Sequence, residues 1–265
     1  MHDSTDFGGV SIVILVRAPA LHFLDSLQSA RSCSDDVVVV VDGDRRNADQ
    51  LGLFPTPDGV SVFLRPLDGF AAQRNYGVQH AKRPWTFHLD SDEIITAGLA
   101  QELREFVGAD QTRVYSVRLL TFVWGRPLKH LFAQEKCLRL HHRTQRWIGR
   151  VHERPGSASE TTTRHLNGLV EHRTVDSLAQ WLHKTGNYVQ AESEGLVGWK
   201  RSRWHILWRP IYRFAKYYVL ELGLLDGYPG LVASFLGFVY EVLLYTAVWE
   251  SLPATSREES NCASR

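Results

Sequence analysis

The feature that most constrains this chain is Val37-Val38-Val39-Val40-Val41, five β-branched residues in a row. Such side chains are stiff about χ1 and pack well on a pleated surface. A strand with one wet face alternates apolar and polar residues. An unbroken apolar run therefore belongs to a strand covered on both faces, the situation of a central strand in a parallel sheet. The run ends in Asp42-Gly43-Asp44-Arg45-Arg46. Carboxylates thus stand at the carboxyl end of a buried strand, where open α/β sheets bind their ligands.

The neighbouring sequence repeats the pattern. Val10–Val16 and Val60–Leu64 read as strands, and Leu21–Ala30 and Gly69–Lys82 as helices, with a further short helix after Arg46. Trp85–Leu89 reads as a fourth strand running straight into Asp90-Ser91-Asp92-Glu93. Alternation of this kind builds βαβ units. The fold class expected is α/β, a mostly parallel sheet flanked by helices. From about Arg113 the alternation gives way to longer strands, Val114–Val123 and Lys136–His142, joined through a turn at Gly125-Arg126-Pro127. This part reads as an α+β half.

Composition narrows the function classes. At 44% hydrophobic and 11% aromatic residues the chain can build a sizeable core, which excludes a disordered protein. Thirty basic residues against 29 acidic leave a net charge of +1, too balanced for a protein held on nucleic acid phosphates. Cys33, Cys137 and Cys262 share no short spacing, so neither a disulfide framework nor a thiolate metal site is signalled. The polar Met1–Gly9 and the short apolar run after it do not read as a signal peptide, and a cytoplasmic catalytic part is expected.

Asp90-x-Asp92 carries the first chemistry. Two hard oxygen ligands at a strand end suit Mg2+ or Mn2+ held jointly with a diphosphate, and such a metal neutralises charge on a phosphate leaving group. The plain alternative is that Asp92 or Glu93 caps a following helix. No GxGxxG follows the first strand and no GxxxxGK[ST] occurs, which argues against Rossmann dehydrogenases and P-loop nucleotidases. Arg74, just ahead of the Asp-x-Asp strand, can reach a phosphate bidentately or form a surface ion pair.

The run Gly69-Phe-Ala-Ala-Gln-Arg-Asn-Tyr-Gly77, continuing through Ala81, Trp85 and Leu89-Asp90-Ser91-Asp92-Glu93, resembles the family 2 glycosyltransferases. Within them it is most similar to the lipopolysaccharide-core β-glucosyltransferases. The resemblance continues through Gly125–His130, Leu138-Arg139-Leu140, Gly149-Arg150-Val151-His152-Glu153, Glu171-His172 and Leu225-Asp226-Gly227. It implies a GT-A fold, a nucleotide-sugar donor (most often a UDP-sugar), a divalent metal, and inversion at the anomeric carbon. Carried onto this chain, it implies that Asp42 holds the base or ribose and that Asp90 faces ribose and metal. Asp92 becomes the principal metal ligand and Arg74 lies near the diphosphate. Glu153 becomes the base that takes the acceptor hydroxyl proton; the alternative is a salt bridge to Arg146, Arg150 or Arg154. His152 is a further candidate for the metal or diphosphate.

The chain also departs from that family. Members carry Asn-Glu after the first strand, and this sequence has Arg17-Ala18-Pro19. The loop after the second strand resembles "DSGSTD" in the family and reads Asp42-Gly43-Asp44-Arg45-Arg46 here. These changes motivate a rival reading, a membrane-associated adaptor that keeps the fold without catalysis. A metal-dependent nucleotidyltransferase using the same carboxylates is another.

The C-terminal part has a different character. Trp199–Lys216 interleaves Trp and Tyr with Arg and Lys, the composition of an amphipathic helix at the headgroup level of an anionic bilayer. Ile211–Leu225 and Leu231–Trp249 are apolar at helical spacing. The second is nearly long enough to span a bilayer, but Glu241 in its middle opposes that. Docking on the membrane is preferred over a span; an oligomer interface or a helical cap is the plain alternative. The division expected is a catalytic domain over 1–175, with a donor half at about 8–110 and an acceptor half at about 111–175. A helical membrane-associating segment follows over 176–252 and a flexible tail over 253–265. The function expected is transfer of a sugar to a lipid-linked or lipopolysaccharide-type acceptor at the cytoplasmic face of the inner membrane.

Overall fold

The computed structural model describes residues 9–17, 22–43, 54–133, 135–149, 153–156, 158–159, 162–196 and 204–251. The short helix expected after Arg46 lies outside them. The chain falls into two compact units, the first Met1–Leu120 with Gln134–Arg173, the second Thr121–Ala133 with Thr174–Arg265.

In the first unit β1 (Val10–Arg17), α1 (Phe23–Arg31), β2 (Val37–Asp42), β3 (Val60–Arg65), α2 (Phe70–His80) and β4 (Trp85–Asp90) follow one another as the alternation requires. β5 (Glu93–Ile95), α3 (Ala97–Arg104) and β6 (Val114–Val123) come next, β6 ending in the second unit. β8 (Lys136–His142), β9 (Trp147–Ile148), β10 (Arg154–Pro155) and β11 (Thr163–Val175) complete the strands of this part. The sheet order is β3-β2-β1-β4-β8-β6-β11-β5. β3, β2, β1 and β4 are mutually parallel. β8 runs antiparallel to both β4 and β6, and β11 to β5. The sheet is therefore mixed, with its parallel half where the apolar runs are.

Burial follows the sequence pattern. Every valine of Val37–Val41 is buried, as is all of Val10–Val16, because β1 and β2 are internal strands with side chains covered on both faces. β3 lies at the sheet edge and is only half-buried. The register sets Arg17 beside Asp42 and Leu15 beside Asp90. Asp42 and Asp90 thus end parallel strands that are separated only by β1. At the end of α1, Cys33 is 1% exposed and its thiol donates to the Ala30 carbonyl at 3.2 Å. Burial pushes that thiol up to about 12.

In the second unit β7 (Arg126–Pro127) pairs with the end of β6. α4 (Leu178–Gly195) is capped by Ser177, whose hydroxyl accepts from the Gln180 amide at 3.2 Å. α5 (His205–Ala215) and α6 (Tyr228–Glu250) follow. The apolar run Ile211–Leu225 is not one helix. α5 passes into a π-helical turn at Lys216–Leu220, then a 3-10 turn at Gly223–Asp226, with Leu222 left-handed at φ 60° between them. Gly230 in α6 approaches the Gly223 carbonyl so closely that a Cβ would stand 1.9 Å from it. α6 is 23 residues long and apolar enough to cross a membrane by length and composition. Glu241 at its middle is fully buried, and the Arg213 Nε of α5 donates to its Oε1 at 2.7 Å. The Arg209 Nε lies 3.5 Å from its other oxygen.

Asp226 closes a second polar cluster in this unit. Its carboxylate accepts backbone N–H groups from Lys129 at 2.8 Å, His130 at 3.1 Å and Leu131 at 2.8 Å, and sits 3.0 Å from His130 Nδ1. Successive amides converging on an anion form a nest. These bonds hold the Asp226 carboxyl below the usual carboxylate range despite opposing burial.

Close packing explains the glycine of the Arg74-Asn75-Tyr76-Gly77 segment. A Cβ on Gly77 would stand 2.3 Å from Val13 Cγ1, so α2 can lie on β1 only without one. Gly77→Ala is expected to destabilise the protein by about 1–3 kcal/mol through overpacking. A denaturant midpoint equal to that of the parent would refute this account.

Candidate active site

The centre of the site is the strand end at Asp90. β4 turns into β5 through the Asp90 amide, which donates to Glu93 Oε2 at 3.0 Å. Glu93 is only 1% exposed, so its charge needs a close partner. Arg139 of β8, the strand beside β4, supplies it: Nη2 binds Glu93 Oε1 in a short contact and Asp90 Oδ2 at 3.1 Å. Arg74 of α2 reaches the other Asp90 oxygen at 3.1 Å through Nη2. Its Nε lies 3.7 Å from Glu153 Oε1. Asp90 therefore sits between two guanidiniums.

The electrostatics follow from that geometry. Burial opposes ionisation of Asp90, but Arg139, Arg74 and His172 together outweigh it and hold the carboxyl well below the usual range. For Glu93 burial wins, and the neighbouring Asp90 charge adds to it, so its pKa is raised against the pull of Arg139. Arg139, facing both carboxylates, is held more firmly protonated than a free arginine although burial works against it.

Asp92 lies at the turn after β4. Its backbone carbonyl accepts from the Arg173 amide at 2.9 Å, and its Oδ1 is 3.8 Å from His172 Nε2. β11 brings His172 there by pairing it with Glu93. Asp42, at the end of β2, accepts the Leu67 amide at 3.0 Å. His152 lies outside the described residues. Among the described residues no group of three or more His, Cys, Asp or Glu is placed to hold a metal ion. Mg2+ usually needs only one or two protein carboxylates, with phosphate and water completing its shell.

Several alternatives left open by the sequence now close. Arg74 is not in a surface ion pair but buried against Asp90. Glu93 does not cap a helix: it begins β5, and the residue preceding α3 is Thr96. Glu153 lies 3.7 Å from Arg74, and Arg150, one of the partners expected for it, lies outside the described residues. The residues that sequence reasoning missed are Arg139, Glu93 and Trp147. The flanking Leu138 and Leu140 were the available signal for Arg139, since a charge inside an apolar strand demands a buried partner.

Trp147 supports Arg74 from beneath. The guanidinium carbon sits 4.9 Å from the indole centroid, a cation–π contact. Asn75 fixes the tryptophan backbone by donating to its carbonyl at 2.9 Å and accepting its amide at 2.8 Å. The indole Nε1 donates to His141 Nε2 at 2.8 Å, and His88 Nε2 is 3.0 Å from the same nitrogen. His141 Nδ1 stands 2.9 Å from its neighbour's carbonyl. That partner can only accept, so Nδ1 carries the proton and Nε2 is left to receive.

With this geometry established, the family follows. The model described as Glycosyl transferase family 2 matches residues 17–157, more than half of the chain, and the chain belongs to that family. An uncharacterized glycosyltransferase of Rickettsia bellii (strain RML369-C) is 22% identical over 241 residues, spanning 85% of this chain and 81% of its own length. Among solved structures, the mannosyltransferase PcManGT from Pyrobaculum calidifontis, in complex with GDP-Man and Mn2+, is similar with a TM-score of 0.50 at 12% identity. That likeness spans 92% of this chain and 88% of the other. It is a likeness of fold, and the fold is of the GT-A type.

The histidine pair under Trp147 makes stability depend on pH. Burial is the main cause that lowers both; His141 falls from 6.5 to about 4, and His88 falls well below its usual value, helped by the charge of its neighbours. The native state keeps both neutral, whereas the unfolded chain takes up protons below about pH 6.5. Their contribution is therefore complete above pH 6.5 and is lost as pH falls towards 4. Replacing His141 with Gln should flatten the pH slope of the unfolding free energy in this window, by up to about 1.4 kcal/mol per pH unit. An unchanged slope would place the acid sensitivity elsewhere.

Proposed function

We propose that this family 2 enzyme moves a sugar from a UDP-sugar to a lipid-linked or lipopolysaccharide-type acceptor, with inversion, at the cytoplasmic face of the inner membrane. The observation that carries the donor side is the convergence of Arg74, Asp90 and Glu153 at the end of β4. Arg74 Nε and Nη1 are buried without a hydrogen-bond partner. Unsatisfied donors of this kind cost about 1–3 kcal/mol each, and a diphosphate oxygen would relieve that cost. The complex of the Pyrobaculum mannosyltransferase with GDP-Man and Mn2+ supports a nucleotide-sugar and a divalent metal.

Asp92, with Asp90 behind it, is the carboxylate that would hold Mg2+ or Mn2+, and His152 remains a candidate beside them. When bound, such an ion supplies positive charge to the departing nucleoside diphosphate. The chain's own residues do the rest. Asp42 holds the nucleoside, and Arg74, steadied by Trp147, orients the diphosphate. Glu153 accepts the acceptor hydroxyl proton during in-line attack, which inverts the anomeric carbon.

Two features of the second unit support the membrane side. Around α5 and the turns after it, Trp204, Trp208, Ile211, Leu220 and Tyr228 all stand exposed, Ile211 at 63% and Tyr228 at 73%. Large apolar and aromatic side chains gathered on one exposed helical stretch are what such a helix places into the headgroup layer of a bilayer. The second feature is the enclosure of Glu241 by Arg213 and Arg209, which favours α6 lying with α5 over α6 crossing a bilayer alone.

Calorimetric titration with UDP and Mn2+ tests the donor reading. Asp92→Asn should abolish metal-dependent binding and turnover. Glu153→Gln should keep UDP binding while turnover falls by about two to four orders of magnitude. Absence of UDP binding by the parent would favour the non-catalytic adaptor, and full activity of Glu153→Gln would remove the base assignment. For the membrane face, the combined Trp208→Ser and Ile211→Ser exchange should weaken flotation with phosphatidylglycerol vesicles several-fold, as expected from lost apolar burial at the interface. Unchanged flotation would count against that face.

A further inference from the structure

A cavity of about 230 Å3 in the first unit is lined by Asn75, Val78, Gln79, Arg143, Gln145 and Arg146. It is smaller than the roughly 300–1,000 Å3 of sites that enclose whole ligands, so it suits one functional group. Among the described residues no carboxylate lines it. Neither Arg143 nor Arg146 has an acidic partner among the described residues.

The backbone that presents these two arginines is fixed. The Arg143 amide donates to the Pro84 carbonyl at 2.9 Å, and the Gln145 amide to the His142 carbonyl at 2.9 Å. The Gln145 side chain donates to the Arg113 carbonyl at 3.3 Å, and the Arg146 carbonyl accepts from the Gly156 amide at 2.9 Å. A hydrogen-bonded turn thus brings two arginines, with no acidic partner among the described residues, to the lining of one small hollow. Guanidinium forks match phosphate and carboxylate oxygens bidentately, and Gln79 adds a neutral donor. The hollow also adjoins the donor machinery along the chain: Asn75 follows Arg74, and Arg146 precedes Trp147.

We propose that this cavity is an anion subsite that grips a phosphate monoester or carboxylate carried by the acceptor, so that the enzyme selects an anionic sugar over a neutral one. Naming the occupant an acceptor rests on the glycosyl-transfer reading above; anion binding itself does not. The same chemistry could come from the donor diphosphate, and the experiment separates the two sources.

Phenyl phosphate, with phenyl glucoside as the neutral control, is titrated into the full chain by ligand-observed NMR. The parent and the double variant Arg143→Gln/Arg146→Gln are compared, and UDP with Mn2+ is titrated into both by calorimetry. Both arginines are exposed, so the variant should keep the parent's melting temperature. Expected is phenyl phosphate binding to the parent, weakened about tenfold or more in the variant as two charge-assisted bonds are lost, with UDP binding unchanged. Equal phenyl phosphate binding by both proteins, or none by the parent, overturns the subsite. A parallel loss of UDP affinity overturns its assignment to the acceptor. Failure of both proteins to bind UDP would defeat the donor reading and leave the phosphate comparison intact.

Discussion

The contact on which the first unit depends is the one that Arg139 makes with Glu93 and Asp90. A carboxylate as deeply buried as Glu93 is costly to desolvate, and only a well-placed partner offsets that cost. Arg139 reaches Glu93 because β8 lies directly beside β4 in the sheet. In the same reach it fixes one oxygen of Asp90, and Arg74 fixes the other. The strand end proposed above to take the donor is thereby clamped from the sheet side and from the helix side. Removing Arg139 would leave two carboxylates facing each other with half their compensation, so folding and site geometry are held by the same three side chains.

What could be read from the sequence, and what could not, divides along range of interaction. The valine run, the apolar strands and the aspartates that end them are local patterns, and the structure has them with boundaries shifted by a residue or two. Arg74 was legible as a candidate but not as a buried residue, because it is covered by Trp147, far along the chain. Arg139 stands in the Leu138-Arg139-Leu140 resemblance without a role of its own, since a charge between two leucines of a strand looks like one exposed position among buried ones. Its partner is set by the antiparallel pairing of β4 with β8, which no local period reveals. β11 went unread because Arg164, Asn167, Glu171 and Arg173 break its apolar pattern. The His88–His141–Trp147 cluster was likewise hidden: its members come from three strands.

The second unit solves the same problem of buried charge twice, by different means. Glu241 is met by arginine side chains from a neighbouring helix. Asp226 is met mainly by backbone, three successive amides folded around one carboxylate. The second solution gives a physical reason for Leu225-Asp226-Gly227. The aspartate is the anion that the 129–131 turn is shaped around, and Gly227 provides the positive φ of 64° at which α6 begins.

Cys33 has a consequence of another kind. Its sulfur is sealed under the end of α1 and its thiol is shifted far above neutral, so almost none of it is thiolate at physiological pH, and the thiolate is the reactive form. Alkylating reagents can therefore reach it only when α1 and the strands beneath it part. Nature has in effect placed a silent clock in the first unit. The rate at which Cys33 is modified counts openings of the sheet that ends in Asp42 and Asp90, on a timescale that no measurement of turnover would sample.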